Sequence, residues 1–384
     1  MKIIYVCLFA IMLSACNTGE KKSEPTLLEE LDAQLTYFAE NTDEPDKVAR
    51  NFENGEYKMV TQRDWTCGFP PGTMWQMYEL TKDEKWKEWA LKTTMKLDGV
   101  QHRTNTHDLG FMVFCSFGNA YLLTGDEKLK DIVIQASESL ISRFNENVGC
   151  IRSWDHGDWD FPVIIDNMMN LEMLFWASKV SGDPKYKDIC ISHADVTIEN
   201  HFREDWSSWH VVGYNPENGE VDVKQTHQGL NDDSAWGRGQ AWGLYGYTVM
   251  FRETKDKKYL DVAAKIADFM ISNLPEDKVS YWDYNDPKIP DTYRDVSAAA
   301  ITASALLELG TYDVPNNSSY LEIANTIIES LNSKAYRAEY GTNGGFLLMH
   351  SVGHMPKNSE VDVPINYADY YYLEALKRQG KISK

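Results

Sequence analysis

The segment Thr124-Gly125-Asp126-Glu127-Lys128-Leu129 decides the fold. One helix ends there at a glycine, an aspartate caps the next helix, and a leucine three residues later packs inward. Variants of this pattern recur at residues 80–86, 181–186, 254–259 and 309–321. Each predicts a tight turn between two neighbouring helices. The chain is therefore predicted to be a series of helical hairpins.

Extending the hydrophobic periodicity outward from these turns predicts twelve helices. The helix before each turn is apolar all round, whereas the helix after it is amphipathic, so the first kind belongs inside and the second outside. Six inner and six outer helices in alternation predict an all-α fold, an (α/α)6 barrel. The predicted helices cover residues 27–42, 70–81, 84–97, 107–124, 127–145, 164–181, 184–201, 235–254, 257–273, 292–310, 318–333 and 365–378.

The functional site is expected at one end of this barrel. Because all inner helices run in the same direction, their N-termini share one mouth with the long loops that precede them, such as 201–234 and 274–291. Long loops on a rigid scaffold commonly carry function. The turns recur at unequal intervals, so a solenoid of fixed period is not expected.

The first residues indicate export. Residues 1–15 combine a basic start, a short apolar run and the sequence Leu13-Ser14-Ala15, which predicts a signal peptide. The following Cys16 resembles the acylated cysteine of a bacterial lipoprotein, and residues 16–26 are then a polar tether. The remainder, 27–384, is predicted to be a single barrel domain, because no Pro/Gly/Ser-rich linker divides it. The expected location is the periplasm or outer membrane of a diderm bacterium.

Composition restricts the partners. The chain has 58 acidic and 38 basic residues and a formal charge of −20, which argues against nucleic acid or an anionic membrane surface, leaving the lipid anchor as the membrane contact. An anionic ligand would have to be attracted by groups inside a pocket. The four cysteines that follow Cys16 are scattered and give no metal-ligand spacing and no disulfide framework, so no metal or cofactor is expected and these thiols should be buried. They are Cys67, Cys115, Cys150 and Cys190.

Two carboxylates lie where inner helices are predicted to begin, Asp108 and Asp166. Either one alone would more often be a helix cap. Two of them at a rim that also carries tryptophans indicate a carbohydrate-cleaving site. Apolar neighbours of Asp166 favour a raised pKa, so Asp166 is predicted to be the proton donor and Asp108 its charged partner. Arg238, between glycines and two tryptophans, is suited to a sugar carboxylate or sulfate, although an ion pair is the commoner role of an arginine.

Three ordered motifs resemble one family, the unsaturated glucuronyl hydrolases of glycoside hydrolase family 88. They are 107–111, 166–178 and 232–243, the last reading Asp-Asp-Ser-Ala-Trp-Gly-Arg-Gly-Gln-Ala-Trp-Gly. The resemblance implies an (α/α)6 barrel, with Asp166 as the acid/base and Asp108 essential beside it. It also implies a set of sugar-binding residues: Trp65, His107, Trp154, His210, Gln228, Arg238 and Trp242.

The implied reaction removes the 4,5-unsaturated glucuronic acid that polysaccharide lyases leave at the non-reducing end of oligosaccharides. The substrate is an enol ether, so acid-catalysed hydration of its double bond replaces direct attack at the glycosidic carbon. Two alternatives stay open: an unsaturated rhamnogalacturonyl hydrolase acting on pectin fragments, and a glycan-binding lipoprotein without activity. The parent polysaccharide, the tolerance for sulfate and the oligomeric state are not indicated by the sequence.

Overall fold

The helices form two concentric rings in the computed structural model, which describes residues 25–380. A π-helical segment, Gly110–Gly118, leads into α4, and a 3-10 segment, Ile165–Asn170, leads into α6. The twelve α-helices are α1 Leu27–Asn41, α2 Phe69–Thr81, α3 Glu84–Met95, α4 Asn119–Thr124, α5 Glu127–Ile141, α6 Leu171–Ser181, α7 Lys185–His201, α8 Gly237–Thr254, α9 Lys257–Asn273, α10 Val296–Leu309, α11 Asn317–Asn332 and α12 Asn366–Gln379.

The inner ring is closed. It runs from α2 through the π-helical segment and α4 to α6, α8, α10 and α12, and α12 packs against α2. Helices α3, α5, α7, α9 and α11 each pack outside the inner helix that precedes them. Helix α1 joins the outer ring beside α3, where the indole of Trp86 donates to Asp32 at 2.7 Å. The predicted (α/α)6 barrel is confirmed.

The predicted turns form for the expected reason. Asp83, Asp126 and Asp256 each cap an outer helix by accepting a hydrogen bond from the backbone N–H two residues later. Gly125 and Gly182 end inner helices in the left-handed conformation, with φ of 71° and 74°. Local capping chemistry therefore defines most hairpin boundaries.

Small antiparallel sheets in the loops were not predicted. Backbone groups in partly buried loops need partners, and short strand pairs supply them. The three-stranded sheet leads directly into the segment that carries Asp166, so it helps to position the site. The strands are β1 Val48–Glu53, β2 Glu56–Val60, β3 Phe144–Asn145, β4 Cys150–Ile151, β5 Phe161–Ile164, β6 Val211–Tyr214, β7 Val221–Gln225, β8 Ser351–His354 and β9 Ser359–Val363, paired as β1-β2, β3-β4, β5-β6-β7 and β8-β9.

Several inner helices begin later than predicted. The helix expected from residue 107 begins at Gly110 as a π-helix, and the one expected from 292 begins at Val296. The residues before these points make loop and strand contacts instead.

The four cysteines after residue 16 are buried, as predicted, and form no disulfide within the described residues. No helix between residues 25 and 380 is long and apolar enough to cross a membrane. The predicted signal peptide, Cys16 and nearly all of the tether lie outside the described residues.

Candidate active site

A cavity of about 410 Å³ opens at the end of the barrel where the inner helices begin. This is the mouth that the sequence predicts. Behind the cavity wall lie three predicted site residues that are almost fully buried, His210, Arg238 and Trp242. The other predicted residues line the cavity itself: Trp65, His107, Asp108, Trp154, Asp166 and Gln228.

Asp166 is the more deeply buried of the two carboxylates. Its side chain is 10% exposed, against 18% for Asp108. Burial raises the pKa of Asp166 from 3.8 to about 7; the positive charge of Arg238 opposes this rise and the negative charge of Asp108 adds to it. A carboxyl with this pKa still carries a proton in a substantial fraction of molecules at neutral pH, which suits a general acid.

Asp108 is held by its neighbours in sequence. Its Oδ2 accepts a hydrogen bond from the Thr106 hydroxyl at 2.7 Å, and its Oδ1 lies 3.2 Å from His107 Nε2. Neither Asp108 nor Asp166 makes a side-chain capping bond to the helical segment beside it. The alternative in which both are helix caps is therefore wrong, and both carboxylates belong to the cavity wall.

A close backbone contact fixes the two carboxylates relative to each other. The N–H of Phe111 donates to Asn170 Oδ1 at 3.1 Å. A Cβ on Gly110 would lie only 2.6 Å from both the Cα and the Oδ1 of Asn170, so glycine is needed for this approach. The segments that carry Asp108 and Asp166 consequently cross almost in contact.

His210 presents an N–H to the carboxyl of Asp166. The backbone N–H groups of His227 and Gln228 donate to its Nδ1 at 3.1 and 3.2 Å. Burial holds the pKa of His210 well below its ordinary value. The neutral ring must then carry its proton on Nε2, which lies 3.6 Å from Asp166 Oδ2. This distance is slightly too long for a hydrogen bond, and a small movement would close it.

The guanidinium of Arg238 is already paired within the protein, whereas its flanking glycines suggest a guanidinium that is free to bind a ligand. Its guanidinium pairs with Asp295 at 2.8 Å and donates to the carbonyl oxygens of Val352 and Gly353 at 2.5 and 2.7 Å. Only Nε lacks a partner in the described part of the chain. The residue lies 4.5 Å from the Trp236 ring, as the sequence suggests. The ion-pair alternative is thus realised, buried rather than on the surface, and direct binding of substrate by Arg238 stays a prediction.

Aromatic side chains form two parts of the cavity wall. The ring centroids of Trp65 and Tyr367 are 5.1 Å apart, and the Trp154 ring stacks on the His156 ring with a centroid distance of 4.8 Å. Trp242 is fully buried against Phe111, so it supports the wall rather than lining it. Its indole N–H acts to lower the pKa of Asp166. Flat apolar walls with a few polar groups are suited to a sugar ring.

Comparison with known proteins agrees with this geometry. Residues 42–379 match glycosyl hydrolase family 88. The chain is 49% identical over 328 residues to an unsaturated glucuronyl hydrolase of Formosa agariphila, which covers 84% of this chain and 82% of that protein. It is 34% identical over 363 residues to an unsaturated chondroitin disaccharide hydrolase of Streptococcus pneumoniae, with 92% and 89% coverage. A crystal structure of an unsaturated glucuronyl hydrolase specific for heparin has a TM-score of 0.90 and 47% identity, covering 92% of this chain and 96% of that one.

The chain belongs to glycosyl hydrolase family 88. It is a glycoside hydrolase, and the predicted family, fold and main function are confirmed. The family 88 cavity also contains side chains that sequence reasoning missed. Thr106 and His227 lie next to predicted site residues and could have been found from that proximity. Arg63 and Arg103 lie in irregular segments without a recognisable pattern, and Arg50 lies in the unpredicted strand β1. The missed lining residues are Arg50, Arg63, Asp64, Arg103, Asn105, Thr106, His156, His227 and His354.

Proposed function

We propose that this family 88 enzyme removes 4,5-unsaturated glucuronic acid from the non-reducing end of lyase-generated, glycosaminoglycan-type oligosaccharides. The observation that carries the proposal is the buried carboxyl of Asp166, with a pKa of about 7, beside a second carboxylate in one cavity. The names of two relatives, one specific for heparin and one a chondroitin disaccharide hydrolase, support glycosaminoglycan fragments as the substrates.

The reaction begins with proton transfer from Asp166 to C4 of the enol ether. The C4=C5 double bond becomes a C–H bond at C4 and an oxocarbenium ion at C5. Water then adds at C5, and its proton returns to the Asp166 carboxylate, so the general acid is regenerated. The hemiketal at C5 opens by breaking the bond to the ring oxygen. C1 then carries a hemiacetal, which releases the next sugar as an alcohol.

Three neighbours assist Asp166 in this scheme. The negative charge of Asp108 stabilises the positive charge that develops on the sugar ring. His210, neutral with its proton on Nε2, can donate a hydrogen bond to Asp166 after the proton has left, which stabilises the new carboxylate. Trp65 and Trp154 line the cavity and present apolar surface that disfavours water beside the substrate.

The test is the loss of ultraviolet absorbance of the conjugated enol ether. Purified enzyme and its Asp166→Asn variant would be mixed with unsaturated disaccharides from chondroitin, hyaluronan, heparin and pectin. Loss of absorbance on a glucuronyl disaccharide, absent in the variant, is the expected result. Activity confined to the pectin fragment would instead identify a rhamnogalacturonyl hydrolase. Binding without any loss of absorbance would identify a glycan-binding protein.

An isotope experiment examines the hydration step separately. In deuterium oxide, proton delivery to C4 places one deuterium on that carbon of the product. Because the enzyme delivers its proton from one side, that deuterium should have a single configuration, whereas direct attack at the glycosidic carbon would release an unsaturated uronic acid whose ring-opened enol takes up deuterium on either face of C4. Nuclear magnetic resonance of the released uronic acid distinguishes these two results.

We also propose export and lipid anchoring through Cys16, in the periplasm or outer membrane of a diderm bacterium. The support is the sequence Leu13-Ser14-Ala15-Cys16 after a basic, apolar start. Lyase-generated oligosaccharides outside the cytoplasm would then reach the enzyme without prior import.

A further inference from the structure

Two arginines of the active-site cavity have no acidic partner. The chain contains eleven arginines, all within residues 25–380. Eight of these pair with a carboxylate within 4.0 Å, namely Arg50, Arg143, Arg152, Arg238, Arg252, Arg294, Arg337 and Arg378. Of the three that do not, Arg63 and Arg103 line the cavity. In a protein with a formal charge of −20, two uncompensated cations on one wall need an explanation.

Arg103 is oriented by neutral groups. Its Nη1 donates to the carbonyl oxygens of Arg63 and Gln62 at 2.8 and 3.4 Å. Its Nε and Nη2 donate to Asn105 Oδ1 at 3.3 and 3.2 Å. These contacts fix the plane of the guanidinium but leave its charge uncompensated. Such an arrangement is preorganised for an anion.

Two carboxylates of the cavity make their close contacts with groups other than Arg63 and Arg103. Asp64 is paired with Arg50 at 2.7 Å, and Asp108 is held by Thr106 and faces His107. The side chain of Arg63 is exposed and makes no hydrogen bond or ion pair within the described part of the chain. The wall therefore presents to the cavity one cation held by hydrogen bonds, Arg103, and one exposed cation without a partner in the described residues, Arg63.

The carboxylate of the reacting uronic acid does not account for this wall. That carboxylate is attached to C5, next to the carbon that Asp166 protonates, so it must lie beside Asp166. The charged groups that act most strongly on the pKa of Asp166 are Arg238 and Asp108. Arg63 is exposed and Arg103 only partly buried, which places both at the rim, farther from the reacting atoms.

We propose that Arg63 and Arg103 form a subsite for a second anionic group of the substrate, a sulfate ester on the uronic acid or on the adjacent sugar. The inference rests on the proposed function and names a substrate class for it. A sulfate ester offers three acceptor oxygens, enough for the guanidinium groups of both Arg103 and Arg63. Sulfated disaccharides would consequently be turned over more efficiently than their unsulfated counterparts.

The experiment measures kcat/KM for matched unsaturated disaccharides with and without sulfate. The variants are Arg63→Gln, Arg103→Gln and Arg103→Lys, with Lys334→Gln as control because this 94% exposed lysine carries the same charge away from the cavity. Arg63→Gln should lower the value for the sulfated substrate by about ten-fold and leave the unsulfated one within about two-fold. Arg103→Lys, which keeps the charge and loses the fork, should give an intermediate loss.

Two series of sulfated disaccharides determine which sugar carries the sulfate that the subsite binds. One series carries the ester on the uronic acid and the other on the adjacent sugar, and only one series should respond to the arginine variants. Equal losses on sulfated and unsulfated substrates, or no loss in Arg63→Gln, would overturn the subsite while leaving the hydrolase intact. If wild-type enzyme turned over no unsaturated disaccharide, the proposed function itself would fail.

Discussion

Replacing Asp166 by asparagine should abolish activity and, above neutral pH, stabilise the fold. In the wild-type protein a carboxyl with an ordinary pKa of 3.8 has been buried until its pKa is about 7. Between these two values the folded protein holds a proton that the unfolded chain releases. The free energy of unfolding therefore falls as the pH rises from 3.8 to about 7. An amide does not titrate, so the variant lacks this loss.

The magnitude follows from the size of the shift. A displacement of ~3 pKa units corresponds to ~4 kcal/mol, since each unit is worth about 1.4 kcal/mol. The side chain is only 10% exposed, so solvent screening removes little of this value. The difference in free energy of unfolding between Asp166→Asn and wild type should be nearly constant below the ordinary pKa. It should then grow in favour of the variant by up to ~4 kcal/mol at about pH 8.

The assay is urea unfolding of both proteins over a series of pH values. Asp108→Asn is the matched control, because it also removes one cavity carboxylate but from a side chain that is 18% exposed and hydrogen-bonded to Thr106. A pH-dependent change that appeared equally in both variants would reflect the loss of any carboxylate from the cavity rather than the burial of Asp166. A difference for Asp166→Asn that stays constant between acid and alkaline pH would show that burial does not raise the pKa of Asp166, and the argument for its role as the acid would fail.

The structure gives three further predictions, and the sequence of the first residues gives a fourth. The kcat/KM of wild-type enzyme should fall about ten-fold per pH unit above about 7, as Asp166 loses its proton, and a flat profile would contradict this. Gly110→Ala should push the backbone away from Asn170 and lower kcat about a hundred-fold in steady-state assays, whereas a near-normal kcat would show that the close contact is unimportant. Asp295→Asn should keep the cap of α10 but leave the charge of Arg238 uncompensated, which lowers the pKa of Asp166. The alkaline limb of the kcat/KM profile should then move to lower pH, and an unchanged limb would refute this coupling. Cys16→Ser should release the protein from the membrane fraction in cell fractionation, and retention would contradict lipid anchoring.

The barrel was predictable because its turns are encoded locally. Asp126 and Gly125 act on their own neighbours, so their effect does not depend on the rest of the fold. One hairpin could have been predicted by the same reasoning. Strands β1 and β2 are separated by Asn54-Gly55, and this dipeptide is the strongest short hairpin signal in a sequence. Both residues have the positive φ that such a turn requires, 54° and 84°.

The starts of the inner helices were less predictable, since they depend on contacts between distant segments. The π-helical geometry at Gly110 accompanies its approach to Asn170, a residue 60 positions away. The placement of Arg63 beside Arg103 was unpredictable for the same reason. Both residues lie in irregular loops, and the contact between them is a hydrogen bond from the Arg103 guanidinium to the Arg63 carbonyl oxygen. Periodicity carries no information about such contacts.

The strength of the acid is likewise a property of the arrangement rather than of the residue. Asp166 and Asp108 are chemically identical, and the sequence separates them only by their neighbours. In the fold, burial raises the pKa of Asp166, Arg238 lowers it and Asp108 raises it. Asp295 compensates much of the charge of Arg238. Arg238 therefore lowers the pKa of Asp166 less than it otherwise would, and Asp166 keeps its proton at neutral pH in more of the molecules. The charges of Asp295, Arg238 and Asp108 together set how firmly Asp166 holds its proton, because Arg238 favours the ionised form of Asp166 and Asp108 favours the protonated form. A change at Asp295 should therefore alter the pKa of Asp166, the group that protonates the substrate.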